Sequence, residues 1–146
     1  MERDISFFIK PIMLSRFRSK CSSTLGIDII YTNIIRDWLV QCALYAQGRK
    51  DINIVNSLRK LANLSDIHQK DNKIITWTLN SKHYADNKGL SHAADFAIMK
   101  NNKAIWDIKA DYNIDNIPDY YQCAKLAESL GFKSGYRYGD YCHIEL

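Results

Sequence analysis

An aspartate stands third in the apolar run Ala93-Ala94-Asp95-Phe96-Ala97-Ile98-Met99, and no other feature of the chain restricts its fold as strongly. A short apolar run bounded by polar segments reads as a buried strand. An ionised carboxylate inside such a strand is costly unless it is paired or bound to a metal. Whatever fold forms must therefore bring partners to Asp95.

The remaining elements follow from periodicity and punctuation. Pro11, followed by Met13, Phe17 and Cys21 at four-residue spacing, opens a helix that closes near Leu25-Gly26. Ile27 to Thr32 is rich in β-branched residues and reads as a strand. Arg36 to Gln47 is helical, with Gly48 as its stop, and a shorter helix runs from about Asn53 to Leu64. Lys73 to Leu79 reads as a strand, and a polar loop, Asn80 to Leu90, precedes the run at Ala93. Asn101-Asn102 is a turn signal that lets Lys103 to Ile108 pair back as a hairpin. Pro118 opens a last helix stopped by Gly131, and Tyr141 to Leu146 is a final strand. The expected architecture is α+β, with helices packed on one small antiparallel sheet.

At 146 residues the chain has room for one domain, and it carries no internal repeat or low-complexity tract. The formal net charge of +4 would suit an anionic partner. However, Arg16, Arg18, Lys20, Arg59, Lys60, Lys70 and Lys73 are scattered, and no helix bears a basic stripe interleaved with aromatics, so no nucleic-acid partner is expected. The apolar stretch Ile5 to Leu14 is broken by Lys10 and Pro11 and has no cleavage site after it, so neither a signal peptide nor a membrane span is expected. Cys21, Cys42, Cys123 and Cys142 form no CxxC pair and read as free thiols. Cys142 and His143 are strand neighbours facing opposite ways, which argues against a Cys/His dyad.

His83, His92 and His143 all fall in or beside the strands of the second half. A catalytic zinc needs three protein ligands and an open fourth position. Ser81-Lys82-His83 through Ser91-His92-Ala93-Ala94-Asp95 offers two imidazoles and a carboxylate, and Asp140-Tyr141-Cys142-His143-Ile144-Glu145 offers an imidazole between carboxylates. Either His83 or His92 is available to act with Asp95.

These segments, taken in order with Arg36, Gln41 and Leu44-Tyr45-Ala46-Gln47-Gly48-Arg49, resemble the D-alanyl-D-alanine carboxypeptidases and L-alanyl-D-glutamate endopeptidases. That family includes many phage endolysins and shares its fold with the hedgehog signalling domain. The resemblance runs from about Pro11 to the C-terminus. It implies a single zinc peptidase domain over 1–146 with one Zn²⁺ per chain held by His83, Asp95 and His143. It implies Asp140 as general base, Arg36 as substrate-binding and charge-stabilising residue, Gln41 and Ser81 in substrate contact or support, and Glu145 orienting His143. His83 and Asp95 lie farther apart than is usual in the family, which implies a loop insertion between them. The Trp-Gly-Gly phrase common before the general base is replaced by Lys133-Ser134-Gly135-Tyr136-Arg137-Tyr138-Gly139.

The expected substrate is the stem peptide of bacterial peptidoglycan, cut by a monomer as an endopeptidase or carboxypeptidase. The chain would be made in the cytoplasm and act in the periplasm or cell wall after release by another agent such as a holin. The alternative is a catalytically inactive, zinc-containing wall-binding module on the same fold.

Overall fold

The computed structural model describes residues 2–146. Helix α1 (Pro11–Lys20) runs into a wider turn, Cys21–Leu25, which Gly26 ends at φ +67°. Strand β1 (Asp28–Asn33) follows, then α2 (Trp38–Ala46) and α3 (Ile52–Leu61). Asp37 and Asp51 cap these two helices by accepting from backbone N–H groups of their first turns. Beyond a long irregular segment come β2 (Ala93–Lys100), β3 (Lys103–Ile105), α4 (Asp119–Ser129), β4 (Lys133–Ser134) and β5 (His143–Glu145).

The sheet is antiparallel, in the order β1-β2-β5-β4, with β3 also paired to β2. Its two faces divide the labour by the two-residue period of a strand. Ile29 and Tyr31 of β1, Ala94, Phe96 and Ile98 of β2 and Ile144 of β5 all pack into one core with Leu14 and Phe17 of α1 and Tyr120, Cys123 and Ala127 of α4. Phe17 meets Phe96 edge-on with ring centroids 5.4 Å apart, and the Tyr31 hydroxyl donates to the Leu14 carbonyl at 2.6 Å. The opposite face carries Asp95, His143 and Glu145.

The expected α+β architecture is present. One expected strand is absent and another is shorter. Lys73 to Leu79 forms no strand, although its β-branched residues favour extended backbone. It lies along α2, where Gln41 donates to the Thr78 carbonyl at 2.6 Å and Arg49 to the Thr76 carbonyl at 3.0 Å. Side chains thus satisfy carbonyls that a neighbouring strand would otherwise take. Gly48 allows the approach, since a Cβ there would stand 2.3 Å from the Ile74 nitrogen. The hairpin strand after Asn101-Asn102 ends at Ile105 and not at Ile108. All four cysteines are free, and Cys21 and Cys123 are buried with their sulfurs 3.9 Å apart. Among the described residues no helix is long and apolar enough to cross a membrane.

Candidate metal centre

The antiparallel register of β2 and β5 sets Asp95 directly opposite His143. Asp95 Oδ1 lies 2.9 Å from His143 Nδ1 and 3.2 Å from His83 Nε2. One donor atom from each of His83, Asp95 and His143 lies within 4.8 Å of the others, and these three are the group so arranged among the described residues. His83 is buried, at 3% exposure. It reaches the strands from the preceding loop because the Arg36 N–H donates to its backbone carbonyl at 2.9 Å and Ser81 Oγ accepts from its N–H at 3.2 Å.

The hydrogen bonds of the outer nitrogens assign the inner ones. His83 Nδ1 sits 2.8 Å from the Ile34 carbonyl, which only accepts, so Nδ1 carries a proton and Nε2 is the nitrogen left to meet Asp95 or an ion. His143 Nε2 faces Glu145 Oε2 at 3.2 Å, leaving Nδ1 directed inward. Asn33 at the end of β1 donates to Asp95 Oδ2 at 3.1 Å. Two imidazole nitrogens and a carboxylate oxygen, each with its outer side held by a partner, are a donor set that fits a divalent ion of borderline softness.

His92 does not belong to this group. Its Nε2 lies 3.0 Å from Asp86 Oδ2, within the loop that separates His83 from Asp95. That loop folds on Asp86, whose Oδ1 accepts from Lys88 and Leu90 N–H groups. The structure therefore brings His83, and not His92, beside Asp95.

Charge is concentrated around the cluster. Burial works to raise the Asp95 carboxyl, but hydrogen bonds from His143 and His83 outweigh it and hold the group well below the usual carboxylate range. Burial likewise opposes charge on His143, yet the bond to Asp95 and the nearby Glu145 and Asp140 raise it from 6.5 to about 9. Asp140 Oδ2 stands 4.0 Å from His143 Nδ1, with its side chain 60% exposed to solvent. Its carboxyl is raised, first by the partial loss of water on the side packed against the cluster and then by repulsion from Asp95.

Across the cluster, Arg36 Nη2 lies 3.9 Å from Asp95 Oδ2, and the Arg36 side chain is only 16% exposed. Arg36 precedes α2 instead of opening it, because Asp37 is the cap. Gln41 is completely buried. Its Oε1 accepts from Arg36 Nη1 at 2.7 Å, while its Nε2 donates to Thr78 O and Thr76 Oγ1. All its polar atoms are thus engaged inside the protein.

No family model matches the chain. It is 31% identical over 125 residues to the peptidoglycan L-alanyl-D-glutamate endopeptidase CwlK of Bacillus subtilis (strain 168), a match covering 83% of this chain. That likeness agrees with the resemblance carried by the sequence motifs. The chain matches 62% of that relative's length.

Family patterns did not point to two of the residues that shape the cluster. Asn33 gives no sign in the sequence, being one polar residue after a strand. Gly135 stands where the Trp-Gly-Gly phrase is missing. The Gly135 carbonyl accepts from Asp140 N–H at 3.0 Å, and its own N–H donates to the His143 carbonyl at 2.8 Å. A Cβ at this position would lie 2.6 Å from the Asp140 carbonyl oxygen and 3.0 Å from the Cβ atoms of Asp140 and His143. The glycine therefore lets the turn carrying Asp140 close over β5.

Proposed function

We propose that the chain hydrolyses peptide bonds in the stem peptides of bacterial peptidoglycan as a zinc-dependent endopeptidase. The observation that carries this reading is the convergence of His83 Nε2, Asp95 Oδ1 and His143 Nδ1 with an acid, Asp140, on one side and a guanidinium, Arg36, on the other. The name of the Bacillus relative supports the substrate class and favours an endopeptidase over a carboxypeptidase.

His83, Asp95 and His143 would hold the zinc. When bound, zinc polarises a carbonyl and lowers the pKa of water to about 7. Asp140, close to the ligands yet open to solvent, takes a proton from the attacking water and later gives it to the leaving amine. Arg36 donates to the scissile carbonyl oxygen as negative charge develops there, or grips a substrate carboxylate. Gln41 acts through Arg36, by fixing its guanidinium. Glu145 holds the orientation of the His143 ring, and Ser81 holds the turn that delivers His83.

The enzyme works as one domain and a monomer, on a substrate that lies outside the cytoplasm and is reached after release by another agent. Mass spectrometry of muropeptides from digested sacculi tests the reading. New fragments with a free D-glutamate amino group are expected, whereas release of terminal D-alanine alone would indicate a carboxypeptidase. Sacculi left intact by the zinc-loaded chain would indicate a binding module.

A further inference from the structure

The chain has a formal charge of +4, yet the segment 107–119 holds four aspartates against one lysine. Asp119, at the start of α4, is completely buried. Its Oδ2 accepts from the Tyr112 N–H at 2.9 Å, which places the carboxyl inside the curl of the segment, and its Oδ1 is buried with no partner. The side-chain oxygen of Asn113 is also buried and unpartnered. Two acceptor oxygens withdrawn from water without donors are costly, and a carboxylate more so.

The order of the residues supplies a reason. In a twelve-residue calcium loop, positions 1, 3, 5, 9 and 12 offer side-chain oxygens, position 7 a carbonyl, and position 6 turns sharply. Counting from Asp111 gives Asp111, Asn113, Asp115, the Ile117 carbonyl and Asp119 in those places. Asn116 takes the turn position with φ +68°. Asp111 accepts from the N–H groups of Asp115 and Asn116, which curls the loop. Gln122 occupies position 12 and ties the loop together, accepting from Asn113 and donating to Asp115.

We propose that Asp111, Asn113, Asp115, the Ile117 carbonyl and Asp119 form a calcium site, separate from the histidine cluster and binding through oxygen alone. The unpartnered oxygens of Asn113 and Asp119 are the ligands already free to take a hard cation, and the Asp111 and Asp115 carboxylates, which do not yet lie within 4.8 Å of one another and of Asp119, close around it on binding. The Asp119 carboxyl is raised by burial and by repulsion from Asp111 and Asp115, a strain that a divalent ion relieves. Gln122 offers one neutral oxygen where such loops usually carry a bidentate glutamate. The dissociation constant therefore falls in the weak range of extracellular modules, about 10⁻⁴ to 10⁻³ M. Such a site fills outside a cell and empties in a cytoplasm.

Calcium chloride titrated into the purified zinc-loaded chain, followed by calorimetry and thermal melting, tests this. Binding of one calcium per chain is expected, with the melting temperature raised by about 5 °C at ten times the dissociation constant. Asp115→Asn, an exposed change that leaves the buried groups alone, weakens binding at least tenfold. Asp119→Asn abolishes the calcium response. Its calcium-free form melts no lower than the calcium-free wild type, because the unpaired buried charge is gone. Absence of any heat or melting shift at 10-fold the weakest expected constant, about 10 mM, overturns the site. So does a wild-type response in both variants. Neither outcome bears on the zinc cluster, whose ligands are different residues.

Discussion

Gln41 accepts a hydrogen bond from Arg36 Nη1 at 2.7 Å while buried beneath it and fastened to the Thr76–Thr78 segment by its own amide. The pair makes the guanidinium a fixed donor beside Asp95. Gln41→Ala frees Arg36 and lowers kcat/KM about tenfold or more, since small misplacements of positioning groups cost up to about 10²-fold. Zinc content stays at one per chain. Steady-state kinetics on a defined stem peptide, with metal analysis of the same sample, checks this.

The Asp140 carboxylate accepts no hydrogen bond from His83, Asp95 or His143, and its one side-chain partner is the Cys142 thiol at 3.7 Å. Asp140→Asn keeps the shape but cannot take up a proton, so activity falls by about 10² to 10⁴-fold with metal retained. Turbidity decay of sacculi beside zinc stoichiometry measures both quantities.

Gly135 is tested by one added methyl. Gly135→Ala forces apart the Asp140 backbone and the β-carbons of Asp140 and His143. A loss of activity approaching 10²-fold is expected, with weaker zinc retention in a competing chelator. The far-UV circular dichroism of the variant remains that of the wild type.

Stripping the metal exposes the titration of His143. Its pKa is raised above the unfolded value of 6.5 to about 9, so its contribution to stability is full below about pH 6.5 and is lost as pH rises through about 9. The metal-free protein is therefore expected to lose melting temperature across this window. Zinc affinity rises over the same range as the competing proton leaves. Thermal melts of stripped and loaded protein at several pH values between 6 and 9.5 test the sign.

Local signals revealed most of the fold and much of the candidate site. Pro11, Pro118, Gly26 and Gly131 mark helix ends, and β2 was visible as an apolar run because both its faces are covered. Asp95 stood out because a charge has no place in such a run without a partner. Residues whose meaning depends on what lies across space gave no such sign. Lys73 to Leu79 has the composition of a strand, and only Gln41 and Arg49 explain why it is not one. His83 and His92 are equivalent in composition, and only their partners across space separate them, Ile34 and Asp95 for the one and Asp86 for the other. The calcium-loop spacing at Asp111 to Asp119 is written in the sequence, but it acquires weight from the unpartnered oxygens that only coordinates reveal.

The central claim is that peptide hydrolysis depends on one zinc held by His83, Asp95 and His143. It is tested most directly by assaying muropeptide release before chelation, after chelation and after one equivalent of zinc is restored. We predict full loss and full recovery in the wild type, with no recovery in His143→Ala. Undiminished release by the folded, zinc-free protein would contradict the claim.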